Sequence, residues 1–246
     1  MTSGPIFIVG LSFSGKTPLR QALSAHPRLA MTRHTGLWTR YYGRFGDLSE
    51  REHLESCLDM VMADDAVRPL APDRAGLERA MRRAGTPDDL RLIACLHEHH
   101  AQLMGKARWG EQLGLLERRA ALLLKAFPQA QIIHMLRRPW ERMSVAAPRG
   151  VRTPLKAGSE GARWLRSVAL SRANSRLAPE RYLVLRYEEL VGQPEATLRQ
   201  VAAFLGEDYD AAMLAALRDS AVGRAHEQVA RGLSEAPGPP DGSREQ

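Results

Sequence analysis

Apolar positions along the 246-residue chain fall into short blocks separated by longer periodic stretches. Pro5–Gly10 (PIFIVG) is a continuous apolar run closed by glycine, the pattern of a strand buried on both faces. Gln131–Leu136 (QIIHML) and Tyr182–Arg186 (YLVLR) read the same way. Elsewhere apolar residues recur at helical spacing, predicting helices over Thr17–Ser24, Ser49–Met62, Pro87–Met104, Leu116–Phe127, Glu141–Ala147, Glu160–Leu177, Pro194–Leu205 and Tyr209–Leu217. Pro18 is compatible with the first of these, because the first turn of a helix does not use its N–H. Strands alternating with helices predict an α/β fold with a central parallel sheet. One domain is expected over residues 1–233, and Ser234–Gln246 (SEAPGPPDGSREQ), rich in Pro, Gly and charge, reads as a disordered tail.

Composition narrows the class of partner. Hydrophobic residues make up 44% and charged residues 26%, as in soluble globular proteins. The formal charge of +7 favours anionic ligands. Nucleic acid is set aside, since the cations are spread along the chain with no recognised binding motif. Lysine is scarce: Lys16, Lys106, Lys125 and Lys156 stand among 35 Lys and Arg, a bias expected of a GC-rich, bacterial genome. Cys57 and Cys95 form neither a metal-spaced pair nor a disulfide framework and are expected as buried free thiols in a reducing compartment. The N-terminus lacks the basic region of a signal peptide, and no apolar run is long enough to span a bilayer. A cytoplasmic protein without membrane contact is expected.

Gly10-Leu11-Ser12-Phe13-Ser14-Gly15-Lys16-Thr17 satisfies G-x-x-x-x-G-K-[ST] between a predicted strand and a predicted helix. Glycines let such a loop wrap an anion, its amides converge as a nest, and the helix start adds free N–H groups and the positive end of a dipole. A nucleoside-triphosphate hydrolase also needs an acid at a strand end to hold Mg²⁺. Here QIIHML runs into Arg137-Arg138 and YLVLR into Tyr187-Glu188, so that acid is missing.

The chain resembles sulfotransferases that use 3′-phosphoadenosine-5′-phosphosulfate (PAPS). PIFIVGLSFSGKTPLRQALSAHPRLAM resembles the family's 5′-phosphosulfate loop, helix and His-Pro turn. RWGEQLGLLERRAALLLKAFPQAQIIHMLRRPWERM resembles the approach to the 3′-phosphate motif. ERYLVLRYEELVGQPEATLRQVAAFLGE resembles the later strand and its Tyr-Glu-acidic-Leu turn, and VGRAHEQVARGLS the C-terminal segment near the cofactor. The likeness spans residues 4–234. It implies a P-loop NTPase-like three-layer α/β/α fold, PAPS as donor, adenosine 3′,5′-bisphosphate (PAP) as product, no metal, and a small-molecule or sugar acceptor. It also implies site residues: Ser12, Phe13, Ser14, Gly15, Lys16, Thr17 and Pro18 around the 5′-phosphosulfate, and Lys16 at the leaving oxygen. Arg137 and Ser144 would then hold the 3′-phosphate. His34 falls where relatives carry Glu or His as general base, a role its ordinary pKa near 6.5 suits.

The chain departs from the family pattern at four places. Phe13 stands where relatives are usually basic, and the cation appears at Lys16 instead. Gln112-Leu113-Gly114 replaces a Lys-Thr-Pro. Arg138 replaces an acidic or amide residue. Val145 takes the usual serine position, leaving Ser144 one residue early and about 100° around the helix. An ATP-using P-loop kinase and a non-catalytic nucleotide-binding descendant are the alternative readings. Cys95, His97, His99 and His100 read as a solvated helix face, His134 as a packing residue, and Trp38, Tyr41 and Tyr42 as acceptor lining or packing.

Overall fold

Five strands form one parallel sheet in the order β2-β3-β1-β4-β5. The computed structural model describes residues 4–83, 85–114, 116–146 and 154–220. The strands are β1 (Ile6–Val9), β2 (Leu29–Thr32), β3 (Arg108–Gln112), β4 (Gln131–Leu136) and β5 (Tyr182–Arg186). Among the described residues the helices are α1 (Lys16–Ala25), α2 (Leu37–Arg40), α3 (Arg51–Ala63), α4 (Arg74–Arg83), α5 (Asp89–Leu103), α6 (Ala120–Ala126), α7 (Pro139–Ala146), α8 (Pro154–Leu177), α9 (Tyr187–Gly192), α10 (Pro194–Leu205) and α11 (Ala211–Arg218). The family-like α/β class with a central parallel sheet is what the structure has.

β1 is the axis of the fold, and all four of its residues are fully buried. Phe7 and Val9 face a core shared with Trp38, Leu58, Leu92, Trp109 and Leu123. Ile6 and Ile8 face the other core, with Leu19, Leu23, Leu198 and Leu214. The two-residue alternation of a strand therefore feeds two layers of helices, as a sheet covered on both faces requires. From β1 the chain steps to one side for β2 and β3 and to the other for β4 and β5. That reversal opens a crevice beyond the carboxyl end of β1, the place where such sheets bind ligands.

Two strands, β2 and β3, and three helices, α2, α4 and α9, escape the hydrophobic pattern. β3 reads RWGEQ, yet its first four residues are buried. Burial is tolerable because the polar groups are bonded. Arg108 Nε donates to the Gly4 carbonyl at 2.6 Å, and its Nη atoms to the Leu205 carbonyl at 2.8 Å and Gln131 Oε1 at 2.6 Å. Glu111 accepts from the Thr35 amide at 2.8 Å, the Thr35 hydroxyl at 2.6 Å and the Trp38 indole at 3.1 Å. β2 is short, and α2 is a single turn. In α4 only Leu77 and Met81, four apart, are buried among five polar or basic neighbours.

Several expected boundaries shift. The strand at the start is Ile6–Val9, inside Pro5–Gly10. Leu116–Phe127 is not one helix: a 3₁₀ turn over Glu117–Arg119 precedes α6 and tucks Glu117 inward while Arg118 and Arg119 stay exposed. Asp210 caps α11 by accepting from the Ala212 amide at 2.8 Å, so that helix begins at Ala211 rather than Tyr209. The solvated-face reading of the cysteine and histidines of α5 is corrected for two of them. Cys95 is buried and His97 fully so, the latter stacked on Trp109 at 4.7 Å and bonded through Nδ1 to the Ile93 carbonyl. Trp38 and Tyr41 are buried packing residues. His134 is a packing residue as expected, bonded to the Tyr182 hydroxyl at 2.7 Å and the Ser167 hydroxyl at 3.0 Å. Residues 221–246, including the expected tail and all of VGRAHEQVARGLS, lie outside the described residues.

Candidate active site

The loop between β1 and α1 has the backbone that its glycines permit. Gly10 has φ +131° and Gly15 +94°, and Phe13 sits in the left-handed region at φ +64°. A Cβ on Gly10 would lie 2.4 Å from the Met135 carbonyl oxygen, and one on Gly15 2.4 Å from Cδ2 of Tyr187. The loop is thus pressed against the ends of β4 and β5. α1 begins with no side-chain cap and no acidic residue in its first turn. Its first-turn amides and dipole are left for an anion.

Lys16 is buried and its ammonium crosses the loop, donating to the Gly10 carbonyl and to the Leu11 carbonyl at 2.7 Å. Burial is the main reason its pKa falls to about 8, with the Glu117 charge pulling it up and Arg142 pushing it further down. Ser14 is 2% exposed, and its hydroxyl has no hydrogen-bond partner. A buried unbonded hydroxyl is costly, and a ligand oxygen in the loop would satisfy it. Thr17 is exposed and accepts from the side-chain amide of Gln112 at 3.3 Å. Ser12 and Phe13 are exposed at the loop crown. Pro18 is buried and carries no N–H, so it offers shape and no donor.

Arg137, just past β4, joins the loop. Its Nη1 donates to the Phe13 carbonyl at 3.4 Å, and its guanidinium lies 3.9 Å from the centre of the Tyr187 ring. That distance is a cation–π contact. Its Nε is buried without a hydrogen bond, with Glu141 Oε2 3.6 Å away. Ser144 belongs to α7, with its side chain outside the described residues. His34 is exposed just past β2, and β3 separates β2 from β1. The sheet therefore brings together the loop, Lys16, Thr17 and Arg137, while the His34 imidazole lies beside Gly114, just past the end of β3.

Four residues near the loop were not singled out as site residues from sequence: Gln112, Glu117, Arg142 and Tyr187. Glu117 is 4% exposed with Oε2 unbonded, and Arg142 is 3% exposed with Nη2 bonded to Glu160 at 2.7 Å. Tyr187 had a usable signal, since it directly follows the apolar strand YLVLR. Gln112 had one in its place where the resembled family has Lys-Thr-Pro; Glu117 and Arg142 had none, because a polar residue becomes notable only once the fold buries it. Among the described residues no group of three or more His, Cys, Asp or Glu could hold a metal ion, and no helix is long and apolar enough to cross a membrane.

A parallel sheet with a G-x-x-x-x-G-K-[ST] loop between its central strand and the following helix defines a P-loop α/β protein. Within that class, the family model described as the sulfotransferase family matches residues 5–211, and the chain belongs to this family of enzymes. Solved structures agree in fold. The sulfotransferase domain from the Synechococcus PCC 7002 olefin synthase is 20% identical with a TM-score of 0.59, covering 95% of both chains. The sulfotransferase domain from the curacin biosynthetic pathway is also 20% identical, with a TM-score of 0.56 over 91% of this chain and 82% of that one. Sulfotransferase STF1 from Mycobacterium tuberculosis is 16% identical with a TM-score of 0.50, over 94% and 76%. No curated protein matches the sequence.

Proposed function

We propose that the protein transfers a sulfuryl group from PAPS to a hydroxyl or amine of a small molecule or carbohydrate, releasing PAP. The observation that carries this reading is the adjacency of two anion-holding groups. The uncapped start of α1, with Ser14 and Lys16, lies against Arg137, whose guanidinium bonds the loop itself. A nucleotide with phosphate at both the 5′ and the 3′ position needs two such groups side by side. Arg137 suits the second by its planar fork. Ser144, on the helix that follows, is assigned to the same phosphate.

The residues present fit the donor on chemical grounds. The Ser14 hydroxyl is a buried donor without a hydrogen-bond partner. The bound donor supplies the activated sulfuryl group. The chain supplies position and charge: the amides from Ser12 to Thr17 and the Thr17 hydroxyl hold the 5′ end, and Lys16 carries the cation for charge that develops on the leaving oxygen. Tyr187 keeps Arg137 in place by packing beneath it.

Gln112 supports this reading over a magnesium-ATP kinase. It stands at the end of β3 facing the loop threonine, where a carboxylate would complete a metal site with that hydroxyl, and it offers an amide. Glu111, the nearest acid in β3, is consumed by Thr35 and Trp38. Calorimetry with PAP in the presence of EDTA, and with Mg-ATP, tests the proposal. Micromolar PAP binding without metal is expected. Stabilisation by Mg-ATP but not by PAP would favour the kinase reading, and binding of neither would favour a descendant that has lost the site.

A further inference from the structure

A cavity of about 410 Å³ opens beside the phosphate loop, between Leu11–Phe13 and α8. Its size suits a monosaccharide or a small aromatic compound. Its charged lining is ordered. Glu160 is held by Arg142 at 2.7 Å and by Arg163 at 2.8 Å, an ion-paired cluster that keeps one net positive charge. Arg118 and Arg166 also line the space, are exposed, and make no ion pair among the described residues. Glu117 lies at the inner end, 4% exposed, with Oε2 buried and unbonded. Its charge raises the Lys16 pKa, which puts the carboxylate near the ammonium that crosses the loop. A buried carboxylate oxygen without a hydrogen bond is costly, and a ligand hydroxyl in the cavity would satisfy it.

We infer that this cavity is the acceptor site, that it takes a hydroxyl compound carrying a carboxylate or other anionic group, and that Glu117 accepts the hydroxyl proton. The inference rests on the sulfotransferase reading with PAPS as donor. The acceptor lies with its hydroxyl inward at Glu117 and its anion outward at Arg118 and Arg166. In the transfer, the acceptor oxygen forms a bond to sulfur as the bond from sulfur to the donor's 5′-phosphate oxygen breaks. The bonding pair leaves with that phosphate, and the acceptor proton goes to the Glu117 carboxylate and then to solvent. His34 does not line this cavity. Its imidazole lies instead beside Gly114, just past the end of β3.

Two matched pairs of probes test the inference: methyl β-D-glucuronide against methyl β-D-glucoside, and 4-hydroxyphenylacetate against tyrosol. Binding is measured calorimetrically on the PAP complex, and turnover with PAPS. At least one acid should bind roughly tenfold tighter than its neutral partner, and the Arg118→Ala/Arg166→Ala variant should erase the difference with PAP affinity unchanged. Glu117→Gln should lower kcat for that acid by about 10²–10³ with unchanged PAP affinity, Glu117→Asp should recover part of it, and His34→Ala should leave kcat as it was. Both arginines are exposed, so that variant folds independently of what happens at Glu117. Equal binding within both pairs, including no binding of either acid, overturns the inference, as does a Glu117→Gln kcat within twofold of the parent. If PAP itself does not bind, the donor reading fails and the inference with it; if PAP binds and the acids are not preferred, the inference alone fails.

Discussion

The side-chain amide of Gln112 donates to the Thr17 hydroxyl across 3.3 Å, tying the end of β3 to the first turn of α1. A neutral amide there leaves the loop's positive potential undiminished. It also orients the hydroxyl, whose own proton remains free to meet a ligand oxygen.

Gln112→Glu replaces that amide by a carboxylate beside an anion site. PAP affinity should fall about 10- to 100-fold, since a unit charge a few ångströms away at a partly buried site acts with an energy of a few kcal/mol. Isothermal titration in EDTA measures it. Unchanged affinity would mean that the 5′-phosphate is not held near Thr17.

The Lys16 pKa of about 8 makes nucleotide binding pH-dependent. Below about pH 8 the ammonium is charged in both free and bound protein, and PAP affinity contributed by this residue is constant. Above it, binding must take up a proton, so affinity should decline by up to tenfold per pH unit. Lys16→Ala should bind weakly with no such slope. The same shift acts on the stability of the free protein. Between about pH 8 and the ordinary value of 10.5 the unfolded lysine holds more proton than the folded one, so the Lys16 contribution to stability rises with pH across that window. Titration calorimetry from pH 7 to 9.5 reads the binding effect.

Ser14→Ala removes a buried hydroxyl that has no partner in the free protein. The free protein should unfold at the same or a higher temperature, while PAP stabilisation should shrink by about 1 kcal/mol, the usual worth of one hydrogen bond. Thermal unfolding with and without PAP separates the two. A loss of stability in the free protein with intact PAP binding would make this serine purely structural.

Glu111→Gln leaves one of the Thr35 or Trp38 donors facing an amide N–H₂. A cost of about 2–4 kcal/mol is expected for a broken buried network, which lowers the melting temperature by roughly 5–15 °C in a domain of this size. PAP affinity of the folded protein should stay as it was, because this carboxylate bonds the loop after β2 and not the phosphate loop.

The hydrophobic runs made β1, β4 and β5 legible, and the G-x-x-x-x-G-K-T pattern made the loop legible, since each signal depends on a few adjacent residues. β3 was not legible, because its burial depends on partners far away in sequence: Gly4, Gln131 and Leu205 for Arg108, Thr35 and Trp38 for Glu111. α5 shows the same limit. His97 looks polar in a linear reading and stacks on Trp109 in the folded core. At the site, Lys16, Thr17 and Arg137 could be found from motif and order. Glu117 could not, because only a 3₁₀ turn in place of a longer helix directs it inward.

The strand order has a consequence for how this protein can change. The crevice beyond β1 exists because the chain reverses direction across the sheet, and the donors it offers an anion are chiefly main-chain amides. Neither property belongs to a particular side chain. Substitution can therefore exchange side chains around the loop without dismantling the receptacle. Divergence to about one residue in five shared with the olefin synthase domain is compatible with the same scaffold.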